Sequence, residues 1–124
     1  MDVGELIAAY DAGWNRQDLD AVCACHADDV VFHNHTAGEC VEGAEAVREH
    51  IRGIFERWPT LRFASRRFYA ADGFAVSEWT ATATRPDGVE IEWDGVDVFP
   101  LRDGKIARKD VYSSSHSPRI VAQA

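Results

Sequence analysis

The second half of the sequence alternates between apolar and polar residues in four runs, and this pattern constrains the fold most. Alternation with a period of two predicts strands. The predicted strands cover residues 61–69, 74–84, 89–101 and 106–113. Turn signals of hairpin type separate them at Asp72-Gly73, Pro86-Asp87-Gly88 and Asp103-Gly104. The second half is therefore predicted to form an antiparallel meander.

The first half has helical periodicity instead. Apolar residues recur on one side of residues 3–16 and of residues 44–58, which predicts two amphipathic helices. Pro59 ends the later helix because it cannot donate to the helical hydrogen-bond ladder. Asp18 is placed to cap a short helix over 19–26. The remaining predictions are a short strand at 30–32, a loop over 36–43 and a polar tail over 114–124.

Helices followed by a meander predict the α+β class, and 124 residues suffice for a single domain over 1–124. A curved sheet of four or five strands with helices across its concave face would bury the apolar stripes of both. Such a sheet forms a half-barrel whose open mouth can bind a small molecule.

Charge and residue composition limit the binding partners and the cellular compartment that we expect for this protein. A net charge of −8 argues against nucleic acid or an anionic membrane as a partner. Three cysteines without zinc-ligand spacing are expected to be reduced, structural thiols. The amino terminus lacks the pattern of a signal peptide and no run is long enough to cross a bilayer, so we expect a cytoplasmic protein.

One carboxylate interrupts an aromatic strand face. Alternation places Asp97 on the same face as Trp93 and Phe99. A buried carboxylate is unfavourable unless it is paired, protonated or used chemically. Asp97 is therefore a candidate catalytic residue, and the alternative is a structural Asp that is bonded to a backbone group or paired with an Arg on the outer face.

Three segments in this order resemble a known family. ADDVVFHN, WPTLRF and GVDVFPLRDGKI are similar to the SnoaL-like polyketide cyclases of the nuclear transport factor 2-like superfamily, which includes ketosteroid isomerase and limonene epoxide hydrolase. The resemblance extends from about residue 6 to 113. It implies a cone-shaped half-barrel with three N-terminal helices over its concave face, and usually a homodimer through the outer sheet face. Enzymes of this family generally need no metal or cofactor.

The resemblance also implies roles for particular residues. Asp97 matches a protonated carboxyl in ketosteroid isomerase and a catalytic Asp in limonene epoxide hydrolase. Tyr10 matches an oxyanion-hole tyrosine, although a core tyrosine explains it equally well. Asn34 stands where the isomerase has its general base, and an amide cannot accept a proton, so it could only orient a substrate oxygen. Asp110 matches a second acid. Facing inward it would couple to Asp97; facing outward it would pair with Arg108 or Lys109.

The histidines and aromatic residues complete the candidate site. His33 and His35 flank Asn34 and could act as general bases, whereas a His-x-His metal site lacks an evident third ligand, so no metal is expected. His26, His50 and His116 are interpreted as surface or capping residues. Gly95 stands where the epoxide hydrolase needs an Arg. The candidate pocket walls, for which core packing is the alternative, are Trp14, Phe55, Phe63, Trp79, Trp93, Phe99 and Tyr112.

The favoured function is cofactor-free acid–base chemistry beside the carbonyl of a small, largely apolar compound. Aldol cyclisation, isomerisation and dehydration all fit this chemistry. The alternative is a non-catalytic binding or dimerisation domain, which Asn34 and Gly95 favour. Epoxide hydrolysis of the limonene type is less favoured than both.

Overall fold

The computed structural model describes residues 2–123, with three helices and seven strands. The helices are α1 (Val3–Arg16), α2 (Leu19–Cys23) and α3 (Ala44–Arg57). The strands are β1 (His26–Asn34), β2 (Glu39–Glu42), β3 (Arg62–Ala71), β4 (Phe74–Thr84), β5 (Glu90–Arg102), β6 (Lys105–Ser113) and β7 (Arg119–Ala122).

The strands form one mixed sheet. Its order is β2-β1-β6-β5-β4-β3, and β7 pairs with β5 outside this path. Only β1 and β6 pair in parallel among the described strands; the other pairs are antiparallel. The predicted α+β class with a curved, mostly antiparallel sheet and three helices is confirmed.

Local signals fix the helices. Asp2 caps α1, since its side chain accepts from the Glu5 backbone N–H at 2.8 Å in a capping box. Gln17 ends α1 in the left-handed region with φ of 54°. Asp18 caps α2, as predicted, by accepting from the Ala21 N–H at 3.1 Å. No helix in the described part of the chain is both long and apolar enough to span a membrane.

Three sequence predictions about elements are wrong. The predicted loop over 36–43 contains β2, which pairs with β1, and the predicted tail contains β7, which pairs with β5. The second helix ends at Cys23, and His26 already belongs to β1. β2 and β7 have only four residues each, so their strand structure depends on pairing with β1 and β5.

A β-bulge in β6 decides which side chains face inward. Val98 pairs with Asp110 and Leu101 pairs with Ile106, so three steps along β5 match four along β6. Because of the extra residue, the side chains of β6 after Ile106 point to the opposite sheet face from the one that regular alternation would give them. Ile106 and Lys109 are both buried, whereas Tyr112 is 48% exposed on the outer face.

The hydrophobic core lies between the inner sheet face and the helices. Leu6 and Ile7 of α1 pack in one cluster with Val47 and Ile51 of α3 and with Phe99 of β5. The apolar stripes predicted for both long helices therefore meet the alternating strand residues, and the cavity described next opens within this layer.

Candidate functional site

A cavity of about 340 Å³ opens between the sheet and the helices. Its apolar lining consists of Trp14, Phe32, Ile54, Trp58, Leu61, Phe63, Trp79, Ile91, Trp93 and Val111. Its polar lining consists of Asn34, Glu39, His50, Arg57, Asp97, Lys109, Ser113 and Ser115. A side chamber of about 130 Å³ shares Asp97 and Lys109 with it and adds Asp11. An apolar cavity with a few convergent polar groups is typical of small-molecule sites.

Aromatic rings packed edge to face form much of the wall. The ring centroids of Trp14 and Phe63 lie 5.7 Å apart, and those of Phe63 and Trp79 lie 5.0 Å apart. These three candidate wall residues line the cavity, as does Trp93.

The other three candidate wall residues lie elsewhere. Phe55 packs its ring against Trp14 from behind the wall, and Phe99 is fully buried against Tyr10. Tyr112 is on the outer sheet face because of the bulge in β6. Phe55, Phe99 and Tyr112 are therefore packing or surface residues.

Gly95 makes room for the Trp79 ring. The two residues are paired across β4 and β5, and a Cβ added at Gly95 would lie 2.2 Å from Cη2 of Trp79. Any side chain here would displace the indole. The structure thus gives a steric reason why this chain cannot carry the Arg that the epoxide hydrolase needs.

A buried pair of opposite charges, Asp97 and Lys109, lines both compartments. Asp97 is 6% exposed and Lys109 is 5% exposed. Lys109 Nζ lies 3.9 Å from Asp97 Oδ2, which is longer than a hydrogen bond. Asp97 Oδ1 and Trp79 Nε1 are both buried without a hydrogen bond of normal geometry. The candidate acid predicted from sequence is therefore in the cavity wall, with a lysine as its partner.

Lys109 sits in a cage of aromatic rings. Its Nζ lies 4.1 Å from the ring centroid of Trp14 and 5.0 Å from those of Tyr10 and Phe32. These distances suit cation–π attraction. Sequence reasoning missed this residue and treated it as a solvated partner for Asp110. Regular alternation from Ile106 points Lys109 outward, and only the bulge turns it in.

Burial shifts the pKa of each charged group around the cage. It raises the pKa of Asp97, and the opposing influences of the Lys109 ammonium and the Trp79 indole are smaller. It lowers the pKa of Lys109, against the attraction of Asp97 and Asp11. It also raises the pKa of Asp11 to about 6, an effect that Lys109 opposes and Asp97 reinforces. Burial thus favours the uncharged form of both carboxyl groups and of the amine.

Tyr10 does not reach the cavity. Its hydroxyl lies 3.0 Å from Nε2 of His26, and the residue is 1% exposed in the core. His26 is buried instead of lying on the surface, and burial, followed by the charge of Lys109, lowers the pKa of His26 to about 3. The phenol is hydrogen-bonded to Nε2 of the neutral imidazole, whereas Nδ1 of His26 is buried without a partner. Tyr10 is therefore the core tyrosine that was the alternative interpretation.

Asp110 faces away from the cavity. It pairs with Val98, whereas the neighbouring Asp97 pairs with Val111, so the two carboxyls lie on opposite sheet faces. Arg108 Nε donates to both oxygens of Asp110 at 2.9–3.0 Å, and His35 Nε2 lies 2.8 Å from Oδ1. Burial alone would raise the pKa of Asp110, but these hydrogen bonds lower it. The predicted inward Asp97–Asp110 pair is wrong, and the outward alternative with Arg108 is what the chain forms.

His33 and His35 lie on the same outer face as Asp110. Their rings stack with centroids 3.6 Å apart, and His35 stacks on Tyr112 at 4.3 Å. One ligand-type atom from each of His33, His35 and Asp110 lies within 4.8 Å of the others, a third group that sequence did not reveal. However, Arg108 already contacts His33 Nδ1 at 3.1 Å and Asp110. The guanidinium occupies the place that a cation would take, and neither histidine faces the cavity.

The cavity rim carries polar groups. Asn34 lines the cavity, and its Oδ1 accepts from the Ala37 N–H at 3.1 Å. His50, interpreted from sequence as a surface residue, also lines the cavity, with its ring 5.2 Å from that of Phe32. Arg57 of α3 adds a positive charge at the same surface. His116 is exposed.

The fold is shared with several solved structures. TerC, crystallised with polyporic acid, superposes with a TM-score of 0.82 at 22% identity, over 91% of this chain and 92% of TerC. A candidate polyketide cyclase from Xanthomonas campestris pv. campestris gives 0.82 at 22% identity, over 91% and 90%. A ketosteroid isomerase-like protein from Catenulispora acidiphila, in complex with trimethylamine, gives 0.82 at 15% identity, over 90% and 86%.

Sequence comparison gives the family. No curated protein matches the sequence closely enough to count as a relative. The profile of the SnoaL-like domain matches residues 7–109, which include most of α1, all of α3 and both members of the buried pair. With the fold and this match in agreement, the chain belongs to the SnoaL-like domain family.

Proposed function

We propose that the cavity is the active site of an enzyme that moves protons beside the carbonyl group of a small, largely apolar compound. The observation that carries this proposal is the Asp97 carboxyl, 6% exposed in an aromatic-lined wall and 3.9 Å from an ammonium group. Burial raises the pKa of this carboxyl, which shifts it toward the range in which a group both takes and returns a proton during catalysis.

Asp97 is proposed as the acid–base group. It removes a proton from the carbon next to the carbonyl and later returns one at the position where the product needs it. Lys109 lies beside it and can donate a hydrogen bond to the carbonyl oxygen, where negative charge develops as the enolate forms. Asn34 on the cavity wall can orient a second oxygen. Aldol cyclisation, isomerisation and dehydration remain the candidate reactions.

The similarity to candidate polyketide cyclases supports a substrate with several carbonyl groups. The cavity volume of about 340 Å³ and its aromatic walls suit a compound of one to a few rings. Asp110 and Tyr10 have no part in this mechanism because neither lines the cavity. Epoxide hydrolysis is disfavoured, since the Trp79 ring fills the space beside Gly95.

A specific observation favours a second function, namely binding without catalysis. The cavity holds one buried carboxyl rather than the expected pair, and Asn34 replaces a base. A protein of this kind would bind a similar ligand and leave it unchanged.

Proton exchange separates the two functions. The protein is incubated in D₂O with 2-tetralone, and loss of the signals of the protons beside the carbonyl is followed by NMR. We expect wild type to accelerate the exchange, Asp97→Asn to abolish the acceleration, and Asp110→Asn to retain it. Equal exchange by wild type and Asp97→Asn would refute the role of Asp97. Ligand binding without exchange would favour the binding function.

The homodimer inferred from the resemblance remains a prediction. Tyr112 on the outer sheet face and Phe68 and Tyr69 on β3 are large apolar residues that are 39–52% exposed. Sedimentation equilibrium should give twice the mass of the chain, and a monomer mass at all concentrations would contradict it.

A further inference from the structure

The chain has two lysines, and the fold places them in opposite environments. Lys105 is exposed, and its Nζ donates to the carbonyl of Ala24 at 2.7 Å. Lys109 is 5% exposed and lines both the cavity and the side chamber. We propose that the Lys109 amine is a nucleophile that binds aldehydes or ketones covalently in the cavity, first as a carbinolamine and then as an imine.

Geometry supports a nucleophilic role. The nearest carboxylate oxygen, Asp97 Oδ2, is 3.9 Å from Nζ, so no short ion pair locks the nitrogen. Rings of Trp14, Tyr10 and Phe32 surround it and exclude water. Lysines that form Schiff bases in enzymes are typically held in such desolvated pockets, where the amine loses its proton more easily.

The charged and titratable groups around Lys109 come from three elements. Asp97 belongs to β5, Asp11 and Tyr10 belong to α1, and His26 belongs to β1. Burial lowers the pKa of Lys109, while Asp97 and Asp11 oppose this shift. Asp97 can accept the proton that the ammonium releases, since its Oδ2 lies 3.9 Å from Nζ and burial raises its pKa. The amine therefore has a proton acceptor beside it.

The covalent step balances without an external reagent. The ammonium passes a proton to Asp97, and the free electron pair on Nζ forms a bond to the carbonyl carbon. The carbonyl oxygen takes that proton from Asp97, which gives a carbinolamine. Loss of the hydroxyl group with one proton, as water, forms the C=N bond. The protonated imine keeps its positive charge inside the aromatic cage, where cation–π attraction stabilises it as it did the ammonium.

This inference rests on the proposed function only in taking a carbonyl compound as the ligand. It differs in the way that the carbonyl is activated. An imine withdraws electrons from the neighbouring carbon through a covalent bond, whereas the proposed acid–base mechanism needs only a hydrogen bond from Lys109.

Reductive trapping tests the proposal. The native protein is incubated with benzaldehyde and sodium cyanoborohydride at neutral pH, digested and mapped by mass spectrometry. Reduction of the imine leaves a stable amine, and the mass increases by that of benzaldehyde less one oxygen atom. Burial lowers the pKa of Lys109 and so raises the fraction of its amine that is uncharged at neutral pH. We therefore expect Lys109 to be labelled faster than Lys105.

Three controls complete the experiment. Lys105→Arg leaves Lys109 as the single lysine and should be labelled at the wild-type rate. Lys109→Arg keeps a positive charge without a nucleophile at this position and should be labelled only at the amino terminus and, at the slow wild-type rate, at Lys105. In urea, where the cage is lost, both lysines of the wild type should react equally, which shows that both peptides are detected. If Lys109→Arg does not fold, the labelling rates of Lys109 and Lys105 can still be compared between the native and the urea-unfolded wild-type protein.

The outcomes separate this inference from the proposed function. Labelling of Lys105 and the amino terminus ahead of Lys109 in the native protein overturns the inference. If Lys109 is unlabelled while proton exchange of 2-tetralone still depends on Asp97, the imine fails and the acid–base function stands. If Lys109 is labelled and no exchange occurs, the nucleophile stands and the acid–base function fails.

Discussion

Replacing Lys109 by methionine should make the stability of the protein fall as pH rises. Methionine fills a similar volume but removes the charge beside Asp97, which stays buried at 6% exposure. Lys109 lowers the pKa of Asp97 in the wild type, so its removal raises that pKa further. A folded state with a raised carboxyl pKa holds a proton that the unfolded state has released. Stability from this group is therefore complete below the unfolded pKa of 3.8 and is lost as pH rises toward the folded value.

The magnitude follows from this linkage. Each pH unit above 3.8 destabilises the variant by about 1.4 kcal/mol for as long as the buried carboxyl stays protonated. Over the two units between about pH 5 and pH 7 the loss amounts to at most about 3 kcal/mol. This limit is of the same order as the ~3–5 kcal/mol lost when one partner of a buried ion pair is removed.

Urea denaturation followed by circular dichroism at these two pH values measures the difference. The double variant Asp97→Asn/Lys109→Met is the control, because it keeps the contributions of Asp11 and His26 and lacks that of Asp97. We expect the free energy of unfolding of the single variant to fall by up to about 3 kcal/mol more than that of the control between about pH 5 and 7. Parallel pH profiles for the two variants would refute the conclusion that Asp97 is held in a dry site by Lys109.

Three further predictions follow from other parts of the structure. Gly95→Ala should lower the free energy of unfolding in urea by about 1–3 kcal/mol, because its Cβ would lie 2.2 Å from the Trp79 ring. The control is Gly53→Ala in α3, whose Cβ meets only the flexible end of Arg57 and which should raise the free energy of unfolding by about 0.5–1 kcal/mol. Equal effects of the two variants would contradict the close contact at Gly95. Burial lowers the pKa of His26 to about 3, so between pH 6.5 and about 3 the unfolded state binds a proton that the folded state does not bind. The free energy of unfolding should therefore fall by roughly 3–5 kcal/mol as pH drops through this range. His26→Gln should lack this loss in acid denaturation, and an unchanged profile would show that His26 is not buried and neutral. Asp110→Asn should change the affinity for 2-tetralone, measured by tryptophan fluorescence, less than twofold. It should lower the free energy of unfolding by about 1 kcal/mol or less, since the partners of Asp110 are partly exposed. A large loss of affinity would contradict the position of Asp110 outside the cavity.

The sequence alone predicted much of the fold because local patterns dominate its long elements. Residues 3–16 carry a helical stripe and 74–84 alternate without interruption, and both elements form with those bounds. Positive φ values at Asp103 and Gly104 are what the hairpin signal there requires. The strands β2 and β7 were missed because four residues are too few to show a periodicity, and their strand conformation comes from pairing with β1 and β5.

In the candidate site, too, some positions follow from local sequence patterns and others depend on strand pairing. A carboxylate on an aromatic face singled out Asp97, and its burial depends only on regular alternation in β5. The position of Asp110 depends on a single extra residue in β6, which no local signal announces. That bulge exchanges the faces of Lys109 and Asp110. The sequence by itself determined that the carboxyl of Asp97 would lie in the cavity wall. Only the tertiary structure decided that its partner is the amine of Lys109 and not a second acid, because the register between strands is set by the whole sheet.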